Sequence, residues 1–233
     1  MLDALQKLQS QLLEEPKKMT REGRTISSSG SGFFITPTLV MTNQHVVDNC
    51  DAISIRVGSN IHPAKVRHQS KKTDLALLST AFENETGGSL RLSPILGEEI
   101  MVAGHPLSGI LSANLIVSAG NINSLAGINE DPILIQISAP IQPGNSGGPI
   151  FDKSGNIVGM TASKLNVLTV AKLTGDISQN VNFGIKPEIL RLFLDNAKVP
   201  YKTANLEQEI MSHKIAKKAQ LITVQVLCNP AIK

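Results

Sequence analysis

Ser146 lies in the run Pro143-Gly144-Asn145-Ser146-Gly147-Gly148-Pro149-Ile150, with glycines on both sides of it. A hydroxyl that attacks a carbonyl creates an oxyanion, and backbone N–H groups aimed at that oxygen stabilise it. Gly144 can supply one such amide and Ser146 its own. Glycine suits the site because the turn asks for dihedrals that side chains resist, and because a substrate must come close to the main chain. The residue types and their order therefore point to a nucleophilic serine beside an oxyanion hole.

A serine hydroxyl is a weak nucleophile at neutral pH, so it needs a base and a group to orient that base. Five histidines are available. His45 ends the apolar run Leu39-Val40-Met41-Thr42-Asn43-Gln44-His45, where a rigid strand could aim its ring, whereas His62, His68 and His213 sit in polar or charged settings. Asp74 opens Asp74-Leu75-Ala76-Leu77-Leu78, and a carboxylate at the edge of a buried strand needs a partner. Asp48 and Asp51 are too close to His45 in sequence to be first choice. His105 has no second ligand at zinc-like spacing, so no metal site is read, and no cofactor is implied.

The order His45, Asp74, Ser146 is that of chymotrypsin, not of subtilisin or the α/β-hydrolases. Gly144-Asn145-Ser146-Gly147-Gly148 also satisfies the loose Gly-x-Ser-x-Gly pattern of a hydrolase elbow, but that fold needs long helices between its strands, and most of this chain reads as short strands between turns. The chain resembles a trypsin-like serine peptidase of the HtrA (Deg) type. The likeness rests on Gly30-Ser31-Gly32-Phe33-Phe34-Ile35 with Thr42 to Val47, on Thr73 to Leu78, and on Gln142 to Pro149. Weaker matches at Gly104 to Leu107, Gly155 to Gly159 and Asn180 to Ile185 extend it over roughly residues 29 to 200.

That resemblance implies an all-β, chymotrypsin-like double antiparallel β-barrel, with the site in the cleft between barrels. His45 and Asp74 would stand on the first barrel and Ser146 on the second. It implies a serine endopeptidase that hydrolyses protein substrates through an acyl-enzyme, in protein quality control or regulated proteolysis. A catalytically silent scaffold on the same fold is the alternative. Asn145 stands where digestive enzymes carry an aspartate that pairs with a newly cut N-terminus, so activation by that ion pair is not expected. Pro140 would form the base of the specificity pocket. Ile141, Gln142, Pro143, Thr161, Ala162, Ser163 and Asn182 would form its walls, which suits small or medium aliphatic side chains. Assembly into a trimer through the N-terminal segment is a further implication. The 33 residues after position 200 are too few for a peptide-binding PDZ domain.

Composition bounds the alternatives. A chain of 233 residues with 41% hydrophobic residues can build one large β unit or two small packed barrels. No Trp, one Tyr and a net charge of +3 give no ground for nucleic-acid binding. No apolar run reaches the length of a membrane span, and the N-terminus lacks the apolar core of a signal peptide. As it stands the chain reads as cytoplasmic, or as periplasmic or secreted if a leader has been removed. Cys50 and Cys228 define no disulfide framework and are expected as free, partly buried thiols.

Three regions follow. Residues 1–31 place Met1, Leu5, Leu8 and Leu12 at helical spacing, then a polar connector. Residues 32–200 form the protease domain, with strands near 33–36, 39–42, 52–57, 63–67, 74–79, 99–103, 113–118, 132–138, 148–151, 156–161 and 180–185. Turn-rich stretches at 80–98, 120–131 and 164–179 separate them. Pro187 opens a helix to about Asn196 within this region. Residues 201–233 form an extension, with a helix over about 206–219 capped by Asn205 and Gln208, and a last strand from Leu221 to Leu227.

Overall fold

A computed structural model describes residues 18–19, 25–26, 28–106, 114–162, 181–206 and 208–229. The helix expected at 1–15 and the turn-rich stretch expected at 164–179 lie outside these residues. Two short strands, β1 (Lys18–Met19) and β2 (Thr25–Ile26), pair as a separate ribbon.

Five strands from the first third of the chain build most of one barrel: β3 (Ser28–Thr36), β4 (Leu39–Thr42), β5 (Ala52–Val57), β6 (Asn60–Ser70) and β7 (Leu75–Thr80). Gly58, at φ +58°, makes the two-residue turn between β5 and β6 that pairs Val57 with Asn60. The second barrel uses β9 (Glu99–Gly104), β10 (Ile116–Ser124), β11 (Leu134–Ile137), β12 (Pro149–Phe151), β13 (Ile157–Ala162) and β14 (Asn182–Ile185). Its ring runs β12-β9-β10-β11-β14-β13 and closes where β13 meets β12. Apolar residues two apart, such as Ile100 and Val102 or Ile135 and Ile137, point to one face and fill this barrel with Ile122, Ile150 and Val158. The architecture is the expected double antiparallel barrel.

The sixth strand of the first barrel comes from the far end of the chain. β16 (Thr223–Asn229) lies between β3 and β5, closing the ring β16-β3-β4-β7-β6-β5. It pairs Gln225 with Ser31 and Val226 with Gly30 on one side, and Cys228 with Ile53 on the other. The C-terminal strand read from the sequence is therefore structural to the barrel that holds His45. This position also corrects the expectation of free thiols. Cys50 leads into β5, the neighbour of β16, so Cys50 and Cys228 come within 5.3 Å at their Cα atoms and form a disulfide across 178 residues.

Helix α1 (Pro187–Asn196) occupies the span read from the sequence, and its Leu190, Phe193 and Leu194 join a core shared with Phe33, Leu77, Phe151 and Met160. Helix α2 (Ser212–Ile222) starts later than expected. Before it, β15 (Lys202–Thr203) runs beside the short strand β8 (Ser89–Leu90), Asn205 accepts a bond from Asn156 Nδ2, and the Ile210 amide bonds Lys153 O. These tertiary partners engage Lys202, Thr203, Asn205 and Ile210 outside any helix and override the capping pattern. Residues 120–124, read as turn, continue β10, because Ile122 is buried and pairs with Ile137.

Thiol alkylation of the denatured, unreduced protein should count no free thiol, and two after reduction. Cys228→Ser should lower the urea unfolding free energy by about 2–5 kcal/mol; unchanged stability would contradict a structural role for the bridge.

Candidate active site

The first half of the site is built where β4 ends. After Thr42 the chain turns through Asn43 into a single 3-10 turn, Gln44–Val46. Asn43 at the start of this turn and Gln44 and His45 within it grip Asp74, which precedes β7. Asn43 Nδ2 donates to the Asp74 carbonyl at 2.9 Å, the Gln44 amide donates to the same oxygen at 3.2 Å, and the His45 amide donates to Oδ1 at 3.0 Å. Asp74 holds φ +53°, a left-handed conformation that aspartate tolerates better than most side chains. The His45 ring completes the grip, with Nδ1 2.8 Å from Oδ2 and 3.0 Å from Oδ1. An ionised carboxylate can only accept, so Nδ1 carries the proton and Nε2 of a neutral ring is left as an acceptor. The two side chains are 44% and 28% exposed, so the pair opens to a surface.

The second half is the loop from Ala139 to Gly148. Pro143 and Gly144 sit at the centre of a turn closed by the Asn145 amide on Gln142 O at 3.0 Å, and Gly144 has φ +101°. Proline followed by a residue at positive φ is the signature of a type II turn. Among the described residues, neither the Gly144 nor the Ser146 amide has a hydrogen-bond partner, and neither does Ser146 Oγ. The bond from a serine to its base commonly tightens only with substrate in place.

Close contact brings the halves together. A methyl group on Gly147 would lie 2.5 Å from Thr42 Oγ1 and 2.9 Å from the Asn43 amide, two residues before His45. One on Gly30 would lie 2.6 Å from Val46 and 3.1 Å from Ser146 O. The glycines let the serine loop, β3 and the histidine turn share one small volume. The arrangement sets a His45 ring held by Asp74 on one side of the junction and, on the other, a buried Ser146 whose own amide and that of Gly144 are unengaged among the described residues.

The other sequence-derived residues are placed as follows. Pro140, Gln142 and Pro143 are exposed, and Ile141 packs on the core of the second barrel. Asn182 Nδ2 donates to Ala139 O at 3.0 Å, and Ala162 pairs with Phe183, so Pro140, Ala162 and Asn182 lie at neighbouring strand ends. Thr161, expected as a pocket wall, lies beneath the serine loop. It is fully buried, and its single hydroxyl proton is shared between the carbonyls of Asn145 and Gly148, so it holds the serine loop from beneath. Ser163 lies outside the described residues. Sequence reasoning passed over Ser31, Thr42 and Asn43, whose signal was polarity inside apolar strand runs; buried polar groups need partners, and these find theirs in the site.

A buried ion cluster steadies the β12–β13 hairpin behind the loop. Arg91 Nε lies 2.6 Å from Asp152 Oδ2, and its other arm meets Glu98. Burial alone would lower the Arg91 pKa, but hydrogen bonds and charge from both carboxylates leave it raised. Asp152 Oδ1 also accepts the Ser154 and Asn156 amides. Among the described residues no group of three His, Cys, Asp or Glu side chains could hold a metal ion.

A double barrel with a His–Asp pair on one side and a glycine-cradled serine on the other defines a class that comparison makes specific. Residues 30–160 match the trypsin-like peptidase domain, and the chain belongs to that family. It is 39% identical over 205 residues to the uncharacterized protein y4bJ of Sinorhizobium fredii, covering 87% of this chain and 32% of that one. It is 34% identical over 142 residues to a probable periplasmic serine endoprotease, DegP-like, of Marinomonas, covering 58% and 30%. The crystal structure of the serine endoprotease from Yersinia pestis shares the fold at a TM-score of 0.61 and 22% identity, over 73% of this chain and 58% of that one. The chain spans only about a third of the length of these two curated relatives.

Gly147→Ala should destabilise the fold by about 1–3 kcal/mol or more in thermal or urea unfolding, since φ is +82° and Thr42 and Ser31 leave no room for a methyl. A variant as stable as the parent would contradict the close packing of loop and barrel.

Proposed function

We propose that the chain is a serine-type endopeptidase in which His45, Asp74 and Ser146 act together. The observation that carries the reading is the 2.8 Å bond from His45 Nδ1 to Asp74 Oδ2, made beside a serine loop with two unengaged amides. Family membership supports it.

In the proposed mechanism Ser146 Oγ attacks the peptide carbonyl carbon while its proton passes to His45 Nε2. The Asp74 carboxylate keeps Nδ1 protonated and stabilises the imidazolium that results. The Gly144 and Ser146 amides receive the oxyanion. His45 then gives its proton to the departing amine, leaving an acyl-enzyme, and a water deprotonated by the same ring hydrolyses the ester. Pro140, Ile141, Gln142, Pro143, Ala162 and Asn182 would receive the side chain before the cut bond, and with no carboxylate among them an uncharged aliphatic residue fits best.

The same proposal covers the setting. The Cys50–Cys228 bridge favours an oxidising compartment, in keeping with relatives named as periplasmic or chloroplastic proteases. Protein substrates in quality control or regulated turnover, and a trimer through residues 1–15, belong to this reading. No described helix is long and apolar enough to cross a membrane.

Endoproteolysis of an unfolded protein, followed by mass spectrometry of the cut sites, tests the activity. Cuts should follow small aliphatic residues. Ser146→Ala should fall to background, a loss of about a million-fold in kcat, and Asp74→Asn should lose about ten-thousand-fold through the wrong tautomer. Cleavage that survives Ser146→Ala would overturn the assignment.

A further inference from the structure

Ser31 is fully buried in β3, between Gly30 and Gly32, and every polar atom it owns is committed to a different piece of the site. Its amide donates to Ser146 O at 2.8 Å. Its carbonyl accepts the Thr42 hydroxyl at 2.7 Å, on the segment that leads to His45. Its hydroxyl accepts the His105 amide at 2.8 Å and lies 2.7 Å from Gly144 O.

The direction of that last bond is forced. An amide can only donate, so the His105 contact uses a lone pair of Ser31 Oγ; a carbonyl can only accept, so the single hydroxyl proton goes to Gly144 O. The bond fixes the plane of the peptide that follows Gly144. Glycine at φ +101° has no side chain to resist rotation about its own bonds, so the hydroxyl adds a second restraint on the peptide whose Asn145 amide bonds Gln142 O. Gly104 protects the contact, because a methyl there would lie 2.8 Å from Ser31 Oγ and 2.5 Å from Asn145 Oδ1.

We infer that Ser31 is a positioning residue for the oxyanion hole: its hydroxyl holds Gly144 in the turn that presents the Gly144 amide, while its own amide holds Ser146 in place. The inference rests on the peptidase reading and names a residue outside the His45, Asp74 and Ser146 set. A loosened Gly144 amide affects the transition state, where the oxyanion exists, and leaves the ground-state peptide almost untouched.

The test compares the parent, Ser31→Ala and Ser31→Thr by three readouts: the rate of fluorophosphonate labelling, kcat and KM on a peptide substrate, and inhibition by a peptide boronic acid that forms a tetrahedral adduct. Ser31→Ala should lose about 10- to 100-fold in labelling rate and kcat, short of the full loss of a donor, with KM within about twofold. Its boronic-acid affinity should fall in parallel, and Ser31→Thr, which keeps the hydroxyl, should recover most of the loss. If Ser31→Ala does not fold, Ser31→Cys takes its place, since a thiol of similar size is a weaker donor and should show a smaller loss in the same direction. Parent-like labelling by a folded Ser31→Ala or Ser31→Cys, or a loss in KM alone, overturns the role of Ser31 and leaves the peptidase reading standing. A parent that takes no label overturns both.

Discussion

The site depends on one junction, where the loop carrying Ser146 is laid against the edge of β3. The barrels supply rigid strands, but the chemistry would need a histidine from one and a serine from the other within reach. What holds them is a set of short, buried hydrogen bonds through Ser31, Thr42 and Thr161, packed so tightly that only glycine fits at positions 30 and 147. Hydroxyls suit this task better than apolar side chains. Packing alone would fix the distance between barrels, whereas hydrogen bonds also fix the rotation of each peptide in the loop, and the use of the amides depends on rotation.

The first barrel is completed only by the last strand of the chain. β16 pairs beside Gly30 and Ser31 and is bridged through Cys228 to Cys50, four residues after Val46. The Val46 side chain in turn occupies the space that Gly30 leaves open. The C-terminal strand, the histidine turn and the serine loop therefore form one mechanical unit, although their residues are spread over most of the sequence. α1 and α2 pack over the same core, which connects residues of both barrels.

Much of this was legible in the residues. Short strands between turns marked a β fold, the resemblance to trypsin-like peptidases implied the double barrel, and α1 was announced by Pro187 with leucines behind it. His45 and Asp74 could be paired on paper because each is a polar residue at the edge of an apolar run, and the structure brings their side chains together. The rest depended on neighbours that no local pattern reveals. The Asn205 and Gln208 capping pattern lost to pairing of 202–203 with β8 and to the bond from Ile210 to Lys153. Cys50 and Cys228 meet only because β16 closes the barrel next to β5. The resemblance implies only a pocket wall at Thr161, and no local pattern reveals the bonds its hydroxyl makes under the serine loop.

The most direct test of the central claim is fluorophosphonate labelling of the intact protein, with the modified residue located by mass spectrometry and His45→Ala as the companion. The account predicts a single phosphonate on Ser146, formed at a rate that collapses when His45 is removed. Label spread over other serines, or Ser146 labelled equally well without His45, would contradict it.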